Sequence, residues 1–168
     1  METIDEKVAE LAASLVGMLA SKGMTFATAE SCTGGAVSQA VTSIPGCSSV
    51  MRGAVVAYHN DVKIGVLGVR EDTLDVYGAV SREVVEQMVV GVSRLVGADC
   101  AVATSGIAGP GGGTLEKPVG TVWIAAKVGD RVVTELLSLR DEGRANNVRR
   151  AVMQSLCLMR ETLCGNSF

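Results

Sequence analysis

With 168 residues, nearly half of them apolar, and a net charge of −3, the chain has the size of one domain with one substantial core. It lacks the clustered Lys and Arg that nucleic-acid binding needs. No apolar run reaches the roughly 18 residues of a membrane span. Glu2, Asp5 and Glu6 make the start acidic, unlike a signal peptide, so a soluble, cytoplasmic protein without a membrane partner is expected.

The chain carries one Trp, two Tyr and two Phe, so Gly, Ala and Val must fill the core. Cys32, Cys47, Cys100, Cys157 and Cys164 form an odd set without short pair spacing and are expected as reduced thiols. With His59 as the one histidine, no ligand set for a metal is expected.

Residues 4–22 read as an amphipathic helix: Thr3 can cap it, Glu6 sits three positions on, and Val8, Leu11, Leu15 and Leu19 recur at helical spacing. Gly23 ends it. A β-prone run over 24–28 then leads into Ala29-Glu30-Ser31-Cys32-Thr33-Gly34-Gly35, and a helix-prone run over 36–41 leads out, stopping near Ser43 ahead of Pro45. Residues 52–58 read as a buried strand that delivers Tyr58, His59, Asn60 and Asp61 to its end. Asn60 or Asp61 is expected to cap a short helix carrying Lys63.

Ser81 caps the next long helix, whose apolar face is Val84, Val85, Met88, Val89, Val92 and Leu95, and Gly97 closes it. Residues 99–104 form another short buried strand that empties into Ser105-Gly106-Ile107-Ala108-Gly109-Pro110-Gly111-Gly112-Gly113. Strands over 121–128 and 131–139 make a hairpin around Gly129-Asp130. The last helix runs from about 144 to 163 with Val148, Val152, Leu156, Met159 and Leu163 inward, and a frayed tail is expected at 165–168. The element order predicts a single α/β domain over 1–168: a three-layer α/β/α sandwich around a mixed, mostly parallel sheet. Three strand-end loops, after Glu30, Ala57 and Ala103, then cluster on one edge, the usual site in such sheets.

Ser31 stands on a strand-to-helix turn followed by two glycines, where free N–H groups of Thr33, Gly34 and Gly35 can stabilise an oxyanion beside a nucleophile. The triad of Ser, His and acid is missing, because His59 adjoins Tyr58. A Ser–Lys arrangement is the economical alternative. Lys63 lies five residues beyond Tyr58, and both can face the crevice of Ser31. Lys63 has to be neutral to act as base, which requires burial, and Tyr58 can relay the proton or donate to the amide. Cys32 is the rival nucleophile and His59 the rival base; a thiol packed behind the turn and a capping histidine are the structural alternatives. The glycine loop is read as a ligand cradle, since glycine lets backbone approach a ligand closely.

These motifs, together with Gly53-Ala54-Val55-Val56-Ala57-Tyr58, Gly78-Ala79-Val80-Ser81 and Lys117-Pro118-Val119-Gly120-Thr121-Val122-Trp123, resemble in order and spacing the CinA carboxy-terminal domain family over roughly residues 5–163. Its stand-alone, PncC-type members are nicotinamide-nucleotide amidases. The resemblance implies hydrolysis of nicotinamide mononucleotide to nicotinic acid mononucleotide and ammonia, in pyridine nucleotide recycling, without a cofactor or metal and in a homo-oligomer. It implies Ser31, Tyr58 and Lys63 as the catalytic set. It implies Ser105, Gly106, Ile107, Ala108 and Gly109 in the nucleotide-binding loop, and Arg144, or Arg149 five positions on, at the phosphate. The family name also leaves open a non-catalytic interaction module in competence or DNA damage.

Overall fold

The computed structural model describes residues 3–165; Met1, Glu2 and the expected frayed tail beyond Gly165 lie outside them. Helix α1 (Ile4–Lys22) begins as the spacing predicts. Thr3 Oγ1 accepts from the Glu6 N–H at 3.2 Å, and the Glu6 carboxylate accepts from the Thr3 N–H at 2.7 Å. The chain then runs β1 (Phe26–Glu30), α2 (Ala36–Thr42), β2 (Met51–Val56), α3 (Asn60–Gly65), α4 (Glu71–Tyr77), α5 (Arg82–Val96), β3 (Cys100–Gly106), β4 (Thr121–Val128), β5 (Arg131–Ser138) and α6 (Arg144–Cys164). A single 3-10 turn at Cys47–Ser49 precedes β2.

The five strands form one sheet in the order β2-β1-β3-β4-β5, with β1 parallel to both neighbours and the β3–β4 and β4–β5 pairs antiparallel. Four strands therefore share one direction and β4 opposes them, which is the mixed, mostly parallel sheet expected. Alternation along the strands divides the core in two. Phe26, Cys100, Val102, Val122, Ile124 and Ala126 pack against α1, α2 and α6. Ala27, Ala29, Ala101, Ala103 and Ala125 meet Val84, Val85, Met88, Val89 and Val92 of α5. The alanine face leaves room for α5 to lie close to the sheet.

Helix α4 is the element that periodicity does not announce. It is seven residues long, its N-cap Arg70 makes no side-chain cap bond, and it buries just Thr73 and Leu74. Between α3 and α4 the backbone crosses α5 so closely that a Cβ at Gly91 would lie 2.0 Å from the Leu67 carbonyl oxygen. The cap of α3 is the capping histidine weighed for His59 rather than Asn60 or Asp61: in extended geometry His59 accepts the Asp61 N–H on Nδ1 at 3.2 Å, so the helix starts at Asn60 itself.

Candidate active site

The C-terminal ends of β2, β1 and β3 are laced together beyond the ladder: the Ser31 N–H donates to the Thr104 carbonyl at 3.0 Å, and the Ala57 N–H to the Glu30 carbonyl at 2.8 Å. Ser31 therefore leaves the sheet between its two neighbours, at the edge where ligands collect in parallel sheets.

Glu30, fully buried, organises the turn that follows. Its Oε2 accepts from the N–H groups of Gly35 and Val37, both at 3.0 Å, and from Thr33 Oγ1 at 2.6 Å. Its Oε1 accepts from the Ser38 N–H at 2.8 Å and Thr28 Oγ1 at 3.1 Å. The carboxylate thus fills the positive end of α2 from inside the protein. Sequence reasoning passed over this residue; the signal was an acid at an inward position of an otherwise apolar strand.

This removes Gly34 and Gly35 from the three expected oxyanion donors and leaves Thr33. The Gly35 N–H is held by Glu30, and the Gly34 N–H donates to the Ser31 carbonyl at 3.1 Å. The Thr33 hydroxyl is buried, 2.7 Å from Thr104 Oγ1 as well as bonded to Glu30. Among the described residues, the backbone N–H groups of Cys32 and Thr33 donate to no protein acceptor. They are what the turn offers to a ligand.

Lys63 on α3 reaches the same point. It is 1% exposed, and its Nζ lies 3.1 Å from Ser31 Oγ, 2.7 Å from the Ala57 carbonyl and 3.3 Å from the Tyr58 carbonyl. No carboxylate forms an ion pair with it among the described residues. Burial pushes its ammonium below the ordinary value of 10.5. The Ser31 hydroxyl makes no cap bond to α2, whose N-cap is Gly35, and among the described residues Lys63 is its one side-chain partner. Ser31 and Lys63 stand as a nucleophile and base would.

The rivals sit elsewhere. His59 points its Nδ1 at its own helix and is largely exposed. Cys32 is buried in the core facing α1 and α6, and desolvation pushes its thiol up to about 12.

Tyr58 is brought near, but not into, the Ser31–Lys63 contact. It is more than half exposed, and its hydroxyl accepts from an Arg144 guanidinium N–H at 2.6 Å. Arg144 donates a second bond to the Gly109 carbonyl at 2.8 Å, spanning from the β2 end to the glycine loop. Arg149 turns away, its Nε 3.2 Å from Asp5 on α1. Five positions on a helix rotate a side chain by about 140°, which separates the two arginines.

The glycine loop is held more tightly than a flexible cradle. Ser105 is buried with its Oγ donating to the Ala79 carbonyl at 2.7 Å. A Cβ at Gly106 would lie 2.8 Å from the Thr121 carbonyl oxygen, so this glycine serves the approach of β4. The Ile107 N–H and carbonyl are both bonded, to Thr121 and Gly120. The Ala108 carbonyl accepts from Asn147 Nδ2 at 3.1 Å, and Asn147, buried on α6, was not anticipated. Gly109, at φ 86°, is still buried, and the exposed stretch begins at Pro110 and runs on past Gly113.

Known proteins with this arrangement can be compared directly. Residues 8–163 match the CinA C-terminal domain. A CinA-like protein of Thermotoga maritima is 48% identical over 164 residues, covering 96% of this chain and 38% of that protein. The chain thus spans well under half the length of the CinA-like relatives it matches. The nicotinamide-nucleotide amidohydrolase PncC of Enterobacter agglomerans is 43% identical over 159 residues, 94% of this chain and 96% of that one. The crystal structure of the competence/damage inducible protein CihA from Agrobacterium tumefaciens superposes with a TM-score of 0.92 at 39% identity, covering 98% of this chain and 99% of that one. With the family match running over nearly the whole described length, this chain belongs to the CinA C-terminal domain family.

Proposed function

We propose that the protein is a serine amidohydrolase that converts nicotinamide mononucleotide to nicotinic acid mononucleotide and ammonia. The observation that carries it is the buried Lys63 Nζ, 3.1 Å from Ser31 Oγ and without a carboxylate partner. In its neutral form the amine keeps two N–H bonds, for the carbonyls of Ala57 and Tyr58, and turns its lone pair to the Ser31 hydroxyl.

Ser31 Oγ attacks the carboxamide carbon as its proton passes to Lys63. The N–H groups of Cys32 and Thr33 receive the oxyanion. Lys63 returns the proton to the leaving nitrogen, releasing ammonia and an acyl-serine ester. A water, giving its proton to Lys63, attacks that ester, and Lys63 passes the proton to the departing Ser31 Oγ, which restores both groups. Arg144, with N–H donors beyond those given to Tyr58 and Gly109, takes the phosphate, and Tyr58 holds the guanidinium in place. No step calls on a metal. The 43% identity over nearly the full length of a protein named for this reaction supports the substrate.

The test is ammonia release from nicotinamide mononucleotide, with chelator present, by wild type, Ser31→Ala and Arg144→Ala. Turnover is expected in wild type, loss in Ser31→Ala, and a raised KM with a smaller change in kcat in Arg144→Ala. Nucleotide binding without turnover by wild type sinks the enzyme and leaves an interaction module.

A further inference from the structure

The glycine loop is fastened to α6 at two consecutive carbonyls. Arg144, the first residue of the helix, donates to the Gly109 carbonyl at 2.8 Å. Asn147, three positions on and so on the same face, donates to the Ala108 carbonyl at 3.1 Å. The two attachments differ in kind. Arg144 is exposed and also serves Tyr58, whereas Asn147 is 1% exposed and has both side-chain N–H bonds taken.

The second Asn147 N–H goes to Asp141 Oδ1 at 3.1 Å, and Asn147 Oδ1 accepts from the Glu142 N–H at 3.4 Å. Oxygens face its nitrogen and an N–H faces its oxygen, so one orientation of the amide fits. Asp141 Oδ1 also accepts from the Gly143 N–H at 3.0 Å. Gly143, the N-cap of α6 at φ 88°, makes no side-chain cap bond; Asp141 from before the helix and Asn147 from within it fix the entry of the chain instead. Asn146 Nδ2 donates to the Glu142 carbonyl at 3.0 Å, and Arg150 pairs with the Glu142 carboxylate at 2.6 Å. Residues 141–143 are thereby stitched to the first two turns of α6.

We infer that Asn147, with Asp141 beside it, is a positioning residue for the phosphate of the substrate. Tyr58 and Gly109 anchor the tip of Arg144; Asn147 and Asp141 anchor its root on the helix and tie that root to the glycine loop. Both ends have to be fixed for the remaining guanidinium N–H groups to point one way. This rests on the amidase reading and extends it: preference for a nucleotide over the bare nucleoside is set by the backbone that carries Arg144 as well as by its charge.

The test compares nicotinamide mononucleotide with nicotinamide riboside, which lacks the phosphate, by ammonia release. Asn147→Ala should lower the nucleotide-to-nucleoside ratio of kcat/KM by at least about tenfold, through the KM of the nucleotide, with kcat/KM for the riboside within about threefold of wild type. Asp141→Ala, at an exposed residue, should lower the ratio by at least about threefold, and Asp141→Asn, which keeps an oxygen for Gly143 and Asn147, should restore it. In an Arg144→Ala background, Asn147→Ala should change the ratio by less than about twofold, since nothing is left to position. Calorimetric Kd values for both ligands in a Ser31→Ala background give the same ratio where turnover is too slow to read. Equal losses on both ligands, Asp141→Asn as poor as Asp141→Ala, or a full Asn147→Ala effect without Arg144 overturns the positioning role. A wild type that binds the nucleotide without turnover overturns the amidase reading alone, and the Kd ratio still decides for Asn147; one that binds neither ligand overturns both.

Discussion

Replacing Glu30 tests the idea that an internal carboxylate, rather than the substrate, fills the positive end of α2. In Glu30→Gln the amide oxygen can take the place of Oε2 and keep the Gly35 and Val37 N–H groups. Its NH2 group then faces the Ser38 N–H, which loses its acceptor. One such orphaned donor costs about 1–3 kcal/mol. Glu30→Ala strips all three backbone N–H groups and both threonine hydroxyls at once and opens a void in a fully buried site. Its cost should be at least about 3 kcal/mol, a large share of the stability of a domain this size. At about 2–4 °C per kcal/mol, the melting temperature should fall by about 6 °C or more in the alanine variant. Urea unfolding monitored by circular dichroism gives the free energies, with Ser31→Ala as the control that loses only the Lys63 contact. If Glu30→Ala comes within about 1 kcal/mol of wild type, or Glu30→Gln is as damaging as Glu30→Ala, the graded hydrogen-bond argument is wrong.

Lys63→Met should lower kcat by about 10²–10⁴-fold, and wild-type kcat/KM should rise with pH as the ammonium, held below 10.5, gives up its proton. The same depressed value makes the unfolded chain bind more protons than the native one between the folded pKa and 10.5. Wild type should therefore gain stability over Lys63→Met as pH rises through that window; a flat difference refutes a perturbed lysine. Two glycines in helices should respond oppositely to alanine. Gly17 in α1 is exposed with nothing within 4 Å of an added Cβ, so Gly17→Ala should stabilise by about 0.5–1 kcal/mol. Gly91→Ala meets the Leu67 carbonyl and should cost about 1–3 kcal/mol by overpacking; thermal melts distinguish the two.

Where local chemistry decides, the sequence was legible. The capping box at Thr3 and Glu6, the Ser81 cap and the Gly129-Asp130 turn all lie where short-range spacing puts them. The convergence of Ser31 and Lys63 followed from counting residues past strand ends, a backbone argument that survives small boundary errors. What escaped depends on register and on which side of a strand or helix a residue faces. Glu30 is an inward residue because β1 pairs it with both Val56 and Thr104, a register that the sequence does not show. Asn147 clamps the glycine loop because α6 begins beside it, and nothing local distinguishes it from Asn146 next to it. The tyrosine hydroxyl was expected toward Ser31; a guanidinium 86 residues away in sequence draws it outward instead. Helix α4 hides because burying two side chains leaves no period to read.

The distances along the chain impose an order of assembly. Ser31 and Lys63 are 32 residues apart, and the elements that carry them, β1, β2 and α3, all lie in the first part of the chain. The clasp on the other side of the crevice joins Arg144 to Tyr58 and Asn147 to Ala108, and both of its donors stand on the first turns of α6, the last helix described. During synthesis β1, β2 and α3 therefore leave the ribosome well before the wall that α6 supplies. A polypeptide cut short before α6 would lose the holding side of its site together with one whole layer of its core.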